Sequence, residues 1–391
     1  MSLMNLFSPD TYTAVRRPLR EAGTLPPQCY ISEEFYQREV SNIFMKCWNC
    51  IGREDFIKNP GDYFTRTLVG ISLIIMRGRD KKIRAFINSC RHRGTKLLEG
   101  KGQCAEIHCP YHGWAYNVDG SLRSFNAMDE ARNLEPKDFG LIEVKLDTWS
   151  GFIFVNFDPD CISLKQFIGR LGDHTDSYGW EDMVTVRHRE VLIKTNWKSY
   201  VENSMEPIHL PLVHKKSIGH VFASGKAGWR FTHGPGEFTI MHTITEKSRA
   251  VLPGDQGFER IPNLRGTAAD GAQYIHLNPC TTIGADLDCM WFKHMVPEGP
   301  HMVRNIAAFC FPKSAIERPD FDRIIQNYYK RFDLVIDEDN AVAETQFAGI
   351  NNPFTRPGRF SHYEENVHWF DNWVIDRVVG RESLEQRSAA A

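Results

Sequence analysis

The 391-residue chain holds no apolar run approaching the roughly 20 residues that a membrane-spanning helix needs. It has no excess of positive charge. Its 47 Lys and Arg stand against 49 Asp and Glu, a formal net charge of −2, so a surface built to neutralise nucleic-acid phosphates is not expected. Ten cysteines are too few for a disulfide-stapled scaffold. There is no internal repeat, no low-complexity tract and no flavin or nicotinamide fingerprint, so direct use of NAD(P)H is not expected. The first residues, MSLMNLFSPD, lack a basic segment leading into an apolar one, and no secretion signal is expected there. A cytoplasmic protein with reduced thiols follows as the expectation. With 42% hydrophobic and 25% charged residues, the chain is globular, and its length suggests two domains or one large domain with an insertion.

The pattern changes along the chain. Residues 31–50 read as a helix, with Phe35, Val40, Ile43 and Phe44 near one stripe. From about 62 to 158 short strands dominate. Ser72–Met76 and Ile83–Ile87 flank a polar turn and predict a hairpin, and Ser150–Phe157 predicts a further strand. After residue 160 helical pieces near 163–171 and 195–210 precede strand-like material from 228 to 311, and helical periodicity resumes from 318 to 347. A compact all-β module joined to a larger mixed α+β domain is expected. Trp229, Phe231, Trp291, Phe292 and Phe309 read as alternating core residues of a sheet, or as the lining of a pocket.

Two clusters of metal-ligating side chains stand out. Cys90-Arg91-His92 is a Cys-x-His and Cys109-Pro110-Tyr111-His112 a Cys-x-x-His; sixteen residues separate His92 from Cys109. Two thiolates and two imidazoles on facing loops suit tetrahedral zinc or a [2Fe–2S] cluster with two Cys on one iron and two His on the other. The Cys-x-His spacing favours the cluster, because ligands one residue apart reach different irons more readily than adjacent corners of one zinc tetrahedron. Gly94 and Gly113 follow the two pairs and permit close backbone approach. Cys104 and His108 repeat neither spacing and read as loop or packing residues, and the lone Cys47-x-x-Cys50 reads as reduced structural cysteines, with redox activity as the second reading.

The second cluster lies in Asn196–His214. Trp197, Val201, Met205 and Ile208 share one stripe; Glu202, Glu206 and His209 share a neighbouring face. Pro207 and Pro211 bend the chain so that His214 turns back toward His209. Two imidazoles and one carboxylate make a mononuclear Fe(II) site with open positions. Asp339, 125 positions after His214, falls in the inward register of Phe332, Ile336, Ala343 and Phe347, while Asp337 and Glu338 point elsewhere. The alternative is that these are ordinary hydrogen-bonded histidines and that Asp339 pairs with an Arg.

At these residues the sequence resembles the Rieske non-haem iron oxygenases, the α subunits (terminal oxygenase components) of ring-hydroxylating systems, over about residues 40–350. The carriers are the two Cys/His loops, then Asn196-Trp197-Lys198, Glu202-Asn203, Glu206 three residues before His209, His214, and Asp339 in Glu338-Asp339-Asn340. The resemblance implies a [2Fe–2S] cluster with Cys90 and Cys109 on one iron and His92 and His112 on the other. It implies a mononuclear Fe(II) on His209, His214 and Asp339, with Glu206 as the catalytic acid that bridges a cluster histidine of one subunit and an iron-ligand histidine of the next. The fold implied is α+β. Residues 1–40 form a segment packing on the catalytic domain, 41–160 a Rieske domain, 161–380 a catalytic domain with an antiparallel sheet flanked by helices, and 381–391 a polar tail. The activity implied is O2-dependent hydroxylation of an aromatic compound, fed by a separate reductase or ferredoxin, in a homotrimer. Glu at position 206, where aromatic-ring members usually carry Asp, is reminiscent of members that act on quaternary ammonium compounds, and the alternative is a monooxygenase that oxidises or dealkylates a quaternary ammonium or methyl-bearing substrate such as a carnitine- or betaine-like compound.

Overall fold

The structure, a computed structural model, describes residues 5–219 and 228–380; the polar tail expected at 381–391 lies outside them. Trp48–Leu164 form one compact unit, and Met1–Cys47 with Lys165–Ala391 form another.

The smaller unit is antiparallel throughout. Its main sheet orders seven strands as 49–53, 152–156, 143–149, 83–87, 71–77, 62–68 and 101–103; a second sheet orders 106–108, 115–117 and 122–124. The expected hairpin is present, registered from Leu73 opposite Ile87 to Arg77 opposite Ile83. Phe152–Asn156 is buried at every position, a strand covered on both faces. Its core gathers Ile74, Phe86, Ile107, Trp114 and Tyr116, together with Cys90 and Cys109, so the cysteines sit at the edge of packed apolar surface.

The helix expected over 31–50 is shorter. Ser32 caps it by accepting from the Phe35 amide at 3.2 Å, it runs over Glu33–Glu39 and continues as a wider turn to Phe44, and the chain then enters the strand Asn49–Arg53. The difference is physical: Asn49–Arg53 are all buried and pair with Phe152–Val155, and sheet pairing overrides local helical spacing.

In the larger unit seven antiparallel strands lie in the order 184–193, 303–311, 290–297, 281–285, 271–277, 238–244 and 230–233. The helix Phe321–Ile350 carries Ile324, Tyr328, Phe332, Val335, Ile336, Asp339, Ala343 and Phe347 on its buried side, a 3- and 4-residue spacing unbroken by Pro. It packs on the sheet through Phe332, whose ring stacks on Phe309 at 4.2 Å; truncating such a ring to Ala costs about 3–5 kcal/mol. No helix among the described residues is long and apolar enough to cross a membrane.

Candidate metal centres and the cavity beside them

The two Cys/His loops of the smaller unit are one turn built twice. In each, the Cys amide donates to the carbonyl five residues on (Thr95 and Trp114, both 2.8 Å), and the Gly amide donates back to the Cys carbonyl (2.8 Å at Gly94, 3.1 Å at Gly113). Gly94 and Gly113 have φ of 77° and 73°, a left-handed conformation that a Cβ would strain, so these two glycines are required by backbone shape. The result faces His92 Nδ1 toward His112 Nδ1 at 3.1 Å. Cys90 and Cys109 lie close enough for their sulfurs to hydrogen-bond, and Cys90 Sγ is 3.3 Å from the Tyr116 hydroxyl. Burial opposes ionisation of Cys109, but the Tyr111 and His112 amides and the Cys90 and Thr95 side chains outweigh it and hold the thiol below its ordinary range. Burial, His92 and Arg93 lower His112, favouring the neutral imidazole that ligates metal.

The donors therefore come as a sulfur pair and a nitrogen pair. A tetrahedral zinc would draw all four within about 4 Å of one another. Among the described residues the only group of three or more His, Cys, Asp or Glu with ligand atoms within 4.8 Å of one another is His209, His214 and Asp339. Two separated pairs of unlike donors fit a two-iron cluster. Trp114 stacks on His92 at 5.0 Å and the exposed Tyr111 on His112 at 3.7 Å. Cys104 is half-buried and packs on the same core, and His108 is exposed beside Glu106. None of the ten cysteines is in a disulfide.

In the larger unit, Asn196-Trp197-Lys198 proves to be scaffolding. Asn196 Oδ1 caps the helix Trp197–Asn203 by accepting from the Lys198 amide at 3.0 Å, the Trp197 indole donates to Glu39 at 2.9 Å, and the buried Lys198 ammonium sits 2.6 Å from Glu39. The helix stops at Asn203, short of the helical piece expected to 210. Glu206 then folds its Oε2 onto the amides of Ile208 and His209, and Pro211 opens a single helical turn, Leu210–Val213, as Pro is suited to do. His209 is the N-cap of that turn and His214 its C-cap, so their rings face at 5.2 Å.

Asp339 completes the group from the long helix. Its Oδ1 lies 3.0 Å from His214 Nε2 and 3.9 Å from His209 Nε2, yet has no partner of hydrogen-bond geometry. A buried carboxylate oxygen so orphaned between two imidazole nitrogens fits a shared cation. The outer nitrogens are held by acids: His209 Nδ1 donates to Glu206 Oε1 and His214 Nδ1 to Glu338 Oε2, each at 2.7 Å. Burial opposes protonation of His209, and Glu206 and Asp339 overcome it to raise the ring's pKa. Burial likewise opposes ionisation of Asp339, but Lys293 and the two histidines hold it well below the usual carboxylate range.

Two side chains in this site differ from the expectation. Glu338 does not point away; it accepts from His214 and from Ser217 Oγ (2.6 Å). Asp337 does point outward, to Arg189. The cation beside Asp339 is Lys293, 3.1 Å from Oδ2, rather than an Arg. Lys293 lies on a strand buried at all eight positions, where no polar–apolar alternation marks it out. Glu202 does line one cavity with Glu206 and His209, as expected, but it stays outside the three-ligand group and accepts from the Tyr30 hydroxyl at 2.9 Å.

A cavity opens beside the group, touching His209, His214 and Asp339 and walled by Trp229, Tyr274, Trp291, Phe309 and Phe332. Phe292, in the core, and the partly buried Phe231 do not line it, so the five aromatic positions of the sequence divide between pocket and sheet packing. The Tyr274 ring lies 6.4 Å from Trp229 and 6.2 Å from Trp291.

Comparison with known proteins agrees with this anatomy. Residues 47–142 match the Rieske [2Fe-2S] domain, and residues 179–380 match the ring hydroxylating alpha subunit (catalytic domain). The oxygenase subunit of carnitine monooxygenase from Escherichia coli (strain K12) is 34% identical over 241 residues, 61% of this chain; the match spans 63% of that subunit, under two thirds of its length. Chloroplastic choline monooxygenase from Spinacia oleracea is 26% identical over 384 residues, 95% of this chain and 81% of that protein. Among solved structures, a quaternary ammonium Rieske monooxygenase in complex with its substrate gamma-butyrobetaine aligns with a TM-score of 0.77 at 22% identity, covering 93% of this chain and 97% of that one. Naphthalene 1,2-dioxygenase with indole in its active site aligns at 0.75 and 18% identity, covering 99% and 97%. At such identities these two speak for the fold alone. With a Rieske [2Fe–2S] domain followed by a mononuclear-iron catalytic domain, the chain belongs to the Rieske oxygenase α subunits, an oxidoreductase family.

Proposed function

We propose that this chain is the terminal oxygenase of a multicomponent system and acts as a monooxygenase on a small quaternary ammonium compound. Electrons come one at a time from a separate reductase, directly or through a ferredoxin, to the cluster on Cys90, His92, Cys109 and His112. His209, His214 and Asp339 hold the Fe(II), which when bound supplies O2 activation. Glu206 and Glu338 fix which nitrogen of each histidine faces the metal. The enzyme works as a cytoplasmic homotrimer, Glu206 linking each iron site to a neighbour's cluster.

The observation that carries the substrate class is the aromatic wall. Trp229, Tyr274 and Trp291 line the same cavity as the three candidate ligands, an aromatic surface of the kind that attracts a cation unable to donate hydrogen bonds, and the Lys293 ammonium already stands 5.5 Å from the Trp291 ring centre. The carnitine and choline monooxygenase relatives favour the same class. Lys293 does not oppose it, because its charge is neutralised by Asp339. Arg331 lines the cavity too and gives the carboxylate of a betaine-type substrate a cationic partner. Dihydroxylation of an aromatic compound, which the sequence alone places first, is the second reading: flat apolar walls also suit a planar ring, and the fold is shared with naphthalene dioxygenase.

Oxygen uptake with a reductase, screened over gamma-butyrobetaine, carnitine, choline and aromatic acids, tests the proposal, with 18O2 labelling of the product. Uptake coupled to a quaternary ammonium substrate, with one labelled atom incorporated, supports it. Two labelled atoms in an aromatic product would replace it with the second reading.

A further inference from the structure

A second cavity of the larger unit shares only Asn203, Glu206 and His209 with the aromatic one. Four carboxyls line it, Glu202, Glu206, Glu364 and Asp371, against one cation, Arg356. Its space, open end included, is about 1060 Å³, room for a chain of ordered waters.

Asp371, on the helix Glu365–Val378, is 1% exposed, and neither of its oxygens meets a hydrogen-bonding side chain of donor type. Its hydrogen-bonding neighbour is the carboxyl of Glu202. Two ionised carboxylates are both acceptors and repel; they stay together only with a proton or a cation between them. The other groups facing the pair do not supply it. Lys198 is already 2.6 Å from Glu39; Tyr30 donates to Glu202 Oε1, the Leu25 amide faces Asp371, and Glu364 adds repulsion.

We propose that Glu202 and Asp371 hold one proton between them and deliver it, through the water of this cavity, to the iron site as oxygen is reduced there. The proposal rests on the oxygenase reading above. Inserting one atom of O2 into a C–H bond breaks the O–O and C–H bonds, forms C–O and O–H bonds, and releases one water. It consumes two electrons, from the reductase, and two protons. Among the described residues the only carboxylates lining the aromatic cavity are Glu206 and Asp339, both engaged with the candidate metal-binding group, so the protons are taken to come from beyond it. Burial raises both members of the pair, Glu202 to about 7 and Asp371 well above its ordinary value, so a proton is retained at neutral pH and is available for release. The cavity mouth recharges the pair from solvent.

The test compares wild type with Glu202→Gln and Asp371→Asn. Infrared spectra of the iron-free protein should show a protonated carboxyl band near neutral pH that either substitution removes. In the loaded enzyme kcat should fall about tenfold with KM unchanged, the solvent isotope effect on kcat should grow, and added small acids should restore the rate. The wild-type kcat should be full below about pH 7 and decline above it, and that limb should vanish in Glu202→Gln. Absence of the band overturns the proposal, as does a band whose removal leaves rate and isotope effect unchanged. Should Asp371→Asn not fold, Glu202, which is less completely buried, carries the same test by itself. Failure of the oxygenase reading looks different: wild type carrying the band but consuming no dioxygen with any substrate.

Discussion

The two candidate metal-binding regions solve opposite problems. In the smaller unit the proposed ligands ride on two copies of one turn, with His92 and His112 half-buried and the 58% exposed Tyr111 against the His112 ring. In the larger unit His214 is 1% and Asp339 4% exposed, and the proposed ligands come from a single helical turn and a long helix that meet only in the folded chain. A centre that only passes electrons gains from lying near the surface. One that handles dioxygen and substrate gains from burial, where water is excluded and charge–dipole interactions strengthen.

The sharpest way to break this comparison is to destroy one centre and keep the other. Cys109→Ser should abolish the visible absorption of the cluster and all turnover, leaving one iron per chain of three by elemental analysis; Asp339→Ala should abolish turnover while the cluster spectrum survives. Survival of the cluster spectrum in Cys109→Ser would refute the ligand assignment. Next in size, Glu206→Gln should keep all three irons and slow turnover about a hundredfold, since its carboxylate grips both the His209 ring and the backbone of the turn. An unimpaired rate would remove Glu206 from the site. Glu338→Gln should weaken Fe(II) binding about 10–100-fold in metal titrations, with the cluster untouched. The smallest effect is expected at the aromatic wall. Trp291→Leu should weaken binding of choline or gamma-butyrobetaine by about 1 kcal/mol, roughly fivefold by calorimetry, more than that of a neutral carbon analogue. Equal losses for both would dismiss the cation–π reading.

What could be read in the sequence follows from the same contrast. The proposed cluster ligands sit within a few residues of each other in each of the two loops, so spacing betrays them. His209 and His214 are nearly as local, and Asp339 shows itself as an acid in an apolar helical register. Glu338 stayed hidden because it neighbours Asp339 on a helix, where successive side chains diverge by about 100°, and only the fold brings His214 across to meet it. Lys293 stayed hidden in a strand with no alternation, and the Glu202–Asp371 pair joins segments 169 positions apart. The helix over 31–50 was cut short by sheet pairing that no local window contains.

Lys293 bears on how the protein behaves at the bench. With its ammonium already balancing Asp339, the chain carries its own substitute for the positive charge that iron supplies. A preparation starved of iron should therefore remain folded, and will look sound by circular dichroism or gel filtration while being inert. Differences between variants are interpretable only after each sample's metal load has been assayed.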